Sequence, residues 1–364
     1  MGTLKVDTVT NVAGSGAPNA TAVTVDNVAL SSIPQMEYVA SASTPTSPSV
    51  GSLWYSTTSD AFYMWDGTQW NTITFTPPPA WFGSRSLVGG GSPASGPTSN
   101  EIQYFANGSN TNAQDFGDLL SARYGLAAAS NATRGLFAGG GTPYINVIEY
   151  VTIANTGNSV DFGDLTEVRF YLTGCGNGTY AFFIGGVSAS AAIDYVTVST
   201  AGNASDWGDL ITTPSQPAYY DQWSAANESR LLVGYDSTET DRIQYVSSTT
   251  PGNAQDFGNM VTGTDKAAAV SDTTRAVYGG GGITTSDAMG YVTIATTGNA
   301  TDFGDLTVSR GRCSTSASST RGFWCGGGNG INTIDVVTIQ TPGNASDFGD
   351  LVAATTLTAG TAGD

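Results

Sequence analysis

One five-residue string occurs six times in this chain of 364 residues, and its spacing constrains the fold more than any other feature. It reads DFGDL at 115–119, DFGDL at 161–165 and DWGDL at 206–210. It then reads DFGNM at 256–260, DFGDL at 302–306 and DFGDL at 347–351. The starts are 46, 45, 50, 46 and 45 residues apart. A period near 45 is the size of one four-stranded propeller blade. Around each string lie the parts of four strands. An apolar run ending in glycines (TRGLFAGGG, TYAFFIGG, TRGFWCGGG) precedes a variable loop. A β-branched and aromatic stretch (VIEYVTI, AIDYVTV, TIDVVTI), a Gly-Asn turn and the string itself follow. Strand signals bounded by Gly and Asn at this spacing predict an all-β chain. The expected architecture is a six-bladed β-propeller of four-stranded blades with a small N-terminal β region. The first blade opens at Trp81-Phe82-Gly83 and lacks an inner strand. Residues from about Val352 to Ala359 are expected to return as that strand and close blade one, hiding two unpaired edges.

Because the six copies agree, residues repeated in all of them read as scaffold. The first aspartates, Asp115, Asp161, Asp206, Asp256, Asp302 and Asp347, are expected to be structural, bonding turns beside a buried Phe or Trp. The strings hold eleven of the 30 acids. Calcium needs several oxygens from one short loop, whereas each blade offers two acids on one strand, so no metal is expected. The glycine runs lack the spacing of a phosphate-cradling loop and are read as structural. Arg85, Arg134, Arg230, Arg275 and Arg321 recur at one place, with Tyr180 in the third copy. They are expected to pair with the string's acids, since a catalytic centre must break a repeat's symmetry.

Asymmetry is where function is sought. The long step carries ITTPSQPAYYDQWSAAN, with Tyr219, Tyr220, Gln222 and Trp223 beside Asp221. Two readings stay open: these rings pack between blades, or they line a groove where aromatic faces stack on sugars and amides bond hydroxyls. The variable loops after the glycines also suit recognition.

Composition excludes several classes. The formal net charge is −18 with no His, so nucleic acid and anionic membranes are not expected partners. The commonest general base and transition-metal ligand is missing. Three cysteines make no disulfide framework, and no cofactor motif occurs. No apolar run is long enough for a membrane span or a secretory signal, so synthesis in a host cytoplasm is expected.

Residues 1–80 lie outside the repeat. The reading divides the chain into an attachment segment (1–35), a small aromatic β-meander (36–76) with an Asp66-Gly67 hairpin signal, a stiff proline linker (77–80) and the propeller (81–364).

The double glycines and apolar runs resemble kelch-type blades, although the kelch Tyr and Trp further along are not matched. The D-x-G element loosely resembles the Asp box of sialidase-like propellers. LKVDTVTN…GSGAP resembles the start of tail-fibre and appendage proteins of tailed phages, particularly those infecting cyanobacteria. LWYST…FYMWDGTQW is similar to a small virion-proximal module of phage fibres, and the YVTI…TGNA…DFGDLT repeat resembles repeats in phage structural proteins. The resemblance implies a virion location and docking of the N-terminus on other virion proteins as a homotrimer. It also implies a propeller that binds a host-surface glycan or lipopolysaccharide without catalysis. A purely structural appendage is the alternative, and a glycan-cleaving enzyme the third reading.

Overall fold

The computed structural model describes the chain except residues 1–4, 11–18, 26–27, 30–37, 60, 74–81, 188–190, 213–221, 236–240, 262–264, 282–285, 329 and 364. The proline linker expected at 77–80 lies outside the described residues. Every regular element among those described is a β-strand. The chain forms two compact units, 1–77 and 78–364.

In the second unit, four-stranded antiparallel sheets of blade type share one strand order. Repeat two shows the pattern: Ala127–Ser130, Arg134–Ala138, Val147–Thr152 and Val160–Asp164 pair in sequence. Repeats three to six repeat it, ending in Ser205–Asp209, Gln255–Asn259, Thr301–Asp305 and Ser346–Asp350. Repeat one is built from Arg85–Gly89, Glu101–Ala106 and Gln114–Asp118, with its first strand supplied by Ala359–Gly363. The C-terminal strand thus sits later than the expected 352–359. Thr355–Thr356 pairs instead with Ser92–Pro93. The cause is the length of the connection, which in every repeat uses several residues between the string and the next first strand.

The string forms the fourth strand, and its Phe is the extra residue of a β-bulge. Ile148 faces Gly163 and Glu149 faces Asp161, so Phe162 is skipped. The same shift recurs in all six sheets. Bulging turns the ring inward. Phe162 is buried and meets Tyr150 of the third strand edge-on at 5.8 Å.

The hydrophobic core lies between sheets. One cluster joins Leu87, Ile102 and Phe116 of repeat one to Phe137 and Val151 of repeat two. Another joins Phe323, Ile334 and Phe348 of repeat six to Val88 and Phe105 of repeat one. Backbone bonds reinforce each junction. The Gly-Asn turn of one repeat docks on the fourth strand of the repeat before it. Gly202 N–H donates to Phe162 O at 2.8 Å, Asp164 N–H to Asn203 Oδ1 at 3.1 Å and Ala204 N–H to Asp164 O at 2.7 Å. Between repeats six and one, Asp350 N–H donates to Asn112 Oδ1 at 3.1 Å and Ala113 N–H to Asp350 O at 2.8 Å. Contact is so close that a Cβ on Gly163 would lie 2.4 Å from Gly202 O, at φ 150°.

The recurrent arginines do not pair with the string's acids. Arg134 lies over Tyr150 of its own sheet (4.6 Å) and donates to Val198 O of the next at 3.1 Å. Arg85, Arg230, Arg275 and Arg321 likewise reach carbonyls of the next repeat: Ile153, Ile294, Ile339 and Asn107. The string's acids point outward on the last strand, while the second-strand arginines sit two strands inward, beside a neighbour's carbonyls. Among the described residues no group of acids, Cys or His could hold a metal ion.

The N–H just after each string meets a side-chain acceptor from the sheet that follows. Leu120, Thr166 and Thr307 donate to Glu149, Asp194 and Asp335. Ile211 and Val352 donate to Gln244 and Gln103, and Val261 to the Tyr278 hydroxyl. Each of the three carboxylates is buried against a buried arginine: Arg123 with Glu149, Arg169 with Asp194, and Arg310 with Asp335 at 2.9 Å. Where the acceptor is neutral Gln103, buried Thr355 occupies the arginine's position.

In the first unit, Lys5–Thr10, Asn19–Val25 and Val28–Ala29 form one sheet. Tyr38–Ser41, Leu53–Ser56, Ala61–Trp65 and Trp70–Ile73 form another, whose first pair is parallel. Trp54 is buried against Tyr63 (4.8 Å) and Trp70 (5.7 Å). The Asp66-Gly67 turn joins the last two strands. Backbone N–H of Gln69 and Thr68 donate to Asp66, holding its carboxyl well below the usual range.

Two predictions follow from these junctions. Gly163→Ala is expected to cost roughly 3 kcal/mol, from overpacking and backbone strain, and Asn203→Ala about 1 kcal/mol. Urea unfolding measures both, and equal small losses would count against the docked turn. Arg123→Thr or Glu149→Gln alone is expected to cost about 3–5 kcal/mol by stranding a buried charge. The double substitution recreates the Gln103–Thr355 pairing and is expected to recover most of that loss. A double variant as unstable as the sum of the singles would contradict the equivalence.

Candidate functional site

In an antiparallel sheet of this order, the loop from second to third strand and the connection from fourth strand to the next first strand leave at the same end. The variable loops therefore share an end with the connections. At that end a cavity of about 110 Å³ opens, lined by the start of the first strand of every repeat. A second, of about 70 Å³, continues along the same strands.

The first cavity's mouth is built by one backbone device. Two residues before the first strand, the chain enters the left-handed region: Gly125 (φ 63°), Tyr171 (57°), Lys266 (61°), Arg312 (56°) and Leu357 (59°). Four of these five N–H groups reach the preceding equivalent. Tyr171 donates to Gly125 O at 2.7 Å, Arg312 to Lys266 O at 2.9 Å, Leu357 to Arg312 O at 3.0 Å and Gly125 to Leu357 O at 2.9 Å. Only glycine takes this conformation without strain. Four of the five nonetheless carry side chains, and no two are alike. The backbone keeps the repeat's symmetry while the side chains break it.

Aromatic residues collect on one side of the mouth. Tyr144, in the second-to-third-strand loop of repeat two, is 51% exposed and stacks on Phe170 at 4.1 Å and 7°. Phe170 adjoins Tyr171 (4.5 Å), which adjoins Tyr124 (6.1 Å). The Arg312 guanidinium lies over the Tyr171 ring at 5.1 Å. Lys266, next to Arg312 through the backbone bond, pairs with Asp265.

Of the residues expected to bind, Gln222 and Trp223 line this cavity. Gln222 Nε2 donates to Ile184 O at 3.0 Å, while its buried Oε1 has no partner among the described residues. Trp223 corrects the expectation of a sugar-stacking face. It is 1% exposed and lies flat on Tyr278 (5.0 Å, 6°), because it occupies the first strand, where the ring fills the junction with repeat five. Tyr219, Tyr220 and Asp221 lie outside the described residues. The first aspartates of the six strings stay on the outer strand, away from the mouth. Tyr144, Tyr171, Lys266 and Arg312 were not singled out in the sequence. What these positions share is a positive φ, which their residue types do not report.

The buried thiols and phenol are poor nucleophiles. Burial pushes Cys313 up to about 11 and the Tyr278 hydroxyl up to about 12, so both stay protonated near neutrality. The site's resources are rings, an amide and two cations, which can bind. Compared with protein-family models and with curated proteins, the chain matches none of them.

Lys266→Gly and Arg312→Gly are expected to change stability by less than about 1 kcal/mol, since relief of left-handed strain offsets glycine's extra unfolded-state entropy. Gly125 already occupies the equivalent place. Thermal or urea unfolding tests this, and a loss of several kcal/mol would make these side chains scaffold.

Proposed function

We propose that the chain is a subunit of a phage virion appendage, a fibre or spike, whose six sheets close into a kelch-like six-bladed β-propeller that binds a host-surface glycan. The N-terminal unit anchors it to other virion proteins as a homotrimer, and the protein does no chemistry. Closure is supported by the C-terminal strand paired into repeat one, the core shared by repeats six and one, and the Asn112–Asp350 bond. The virion location rests on the resemblance of the N-terminal segments and the repeat to phage appendage proteins.

The observation that carries the binding reading is the mouth. A scaffold that keeps its symmetry in backbone and core departs from it where Tyr144, Phe170 and Tyr171 stand with the Arg312 guanidinium, at a cavity that also holds an amide oxygen without a partner among the described residues. Aromatic faces flanked by hydrogen-bonding groups are the usual chemistry of carbohydrate recognition. Loops of variable sequence at the same end add contacts without disturbing the core.

The full chain is expected to be captured by surface polysaccharide or lipopolysaccharide of the host, most directly a cyanobacterial one. Tyr144→Ala is expected to weaken capture about tenfold, the loss of one ring contact, with thermal midpoint unchanged. Capture by particle proteins alone would favour the purely structural appendage. Release of reducing sugar from the polysaccharide would point to an enzyme instead.

A further inference from the structure

Among the six four-stranded sheets of the second unit, repeat one alone has a first strand with no short turn leading to its second. In repeats two to six a tight turn makes that link, as residues 131–133 join Ser130 to Arg134. Ala359–Gly363 instead reaches Arg85–Gly89 from the far end of the sequence. The segment 352–363, VAATTLTAGTAG, is uncharged, so a chain of net charge −18 does not repel it. Its partners come from three repeats. In repeat one, Val352 N–H donates to Gln103 Oε1 at 2.8 Å and Ala94 N–H to Ala354 O at 3.0 Å. In repeat six, Gly327 N–H donates to Thr355 O at 2.9 Å and Leu357 N–H to Arg312 O at 3.0 Å. In repeat two, Gly125 N–H donates to Leu357 O at 2.9 Å and Ser130 Oγ to Ala362 O at 2.6 Å.

The seat is also shaped for these residues. A Cβ on Gly360 would overlap Thr315 O of repeat six, and one on Gly363 would overlap Ile153 Cδ1 and Ala132 O of repeat two. Ala359 is buried in the core that repeats one and two share. On the other side, Gly91 of repeat one sits at φ 104°, where a Cβ would crowd Thr355 and Thr358. Backbone bonds along an extended segment supply affinity, and room for particular side chains at fixed positions supplies specificity. Those are the two parts of recognition by an added strand.

We infer that repeats six, one and two form a strand-acceptor site for the segment 352–363, which takes that segment in trans from a second copy of the chain once its own is withdrawn. The bonds above are the same whichever copy supplies the strand, so exchange links two subunits without any new surface. A strand tethered to its own site has a high effective concentration there, which keeps the intact chain's segment in place. The inference rests on the strand pairing and is independent of glycan recognition.

A fluorescein-labelled peptide of residues 352–363 stands for the second copy's segment, and fluorescence anisotropy reads its binding. Two acceptors are used: a chain ending at Leu351, and the full chain with Gly360→Val, whose own strand is loosened at unchanged length. Both are expected to bind the peptide and to melt several degrees higher in its presence. The same peptide carrying Gly360→Val is expected to bind at least about tenfold more weakly, from overpacking against Thr315 O. The unaltered full chain, its site filled, is expected to bind at least about tenfold more weakly than either acceptor. Where the chain ending at Leu351 does not fold alone, peptide present during refolding is expected to recover it. A peptide that binds neither acceptor, binds as tightly with Val at position 360, or binds the unaltered chain equally well would overturn the inference.

Discussion

The docking of each Gly-Asn turn onto the fourth strand of the preceding repeat is the contact on which the rest depends. A fourth strand has one neighbour in its own sheet and would otherwise expose a row of unpaired backbone groups. Here the next repeat's turn takes the Phe carbonyl, the following N–H and the carbonyl after that, in three bonds spanning three residues. The bulge at the Phe makes this possible. It throws the aromatic ring into the core and leaves a glycine whose missing side chain admits the turn. The string DFGD and the string GNA, 45 residues apart in period, are two halves of one joint. That is why both recur together.

The interior shows the same logic with different parts. Six equivalent N–H groups need six acceptors, and the chain fills them with Glu, Asp, Gln and Tyr. What is kept is satisfaction of the part-buried donor, not residue identity. Carboxylates appear only where a buried arginine neutralises them, since an unpaired charge there would cost several kcal/mol. Gly290 is glycine for a related reason: a Cβ there would lie 2.3 Å from the Tyr278 hydroxyl that replaces the usual third-strand acceptor.

The strand order was legible because a strict period converts six local patterns into one architecture. The long-range partners were less so. Arginines on the second strand were matched to acids on chemistry alone, yet the fold places carbonyl oxygens nearer. Trp223 was singled out as an aromatic in a long insertion, whereas its offset from the next glycine-ended run already placed it on a first strand and so in the core. The mouth was missed because its signal is a backbone angle. Tyr171, Lys266, Arg312 and Leu357 share no chemistry, and nothing in their one-letter codes says that all four take the conformation of Gly125.

That shared angle explains how such a scaffold can acquire a specific site. In a repeat, a side chain with a shared task varies only among types that can perform it, whereas a position bonded through its backbone alone can vary further. The left-handed residue at the mouth meets that condition: its N–H and carbonyl carry the bonds between neighbouring repeats, and its side chain is surplus to them. Glycine is the residue of least strain there, and one repeat keeps it. Each replacement by Tyr, Lys, Arg or Leu costs about 1 kcal/mol in strain, part of which is offset where Tyr171 packs on Phe170, Arg312 lies over Tyr171 and Lys266 pairs with Asp265.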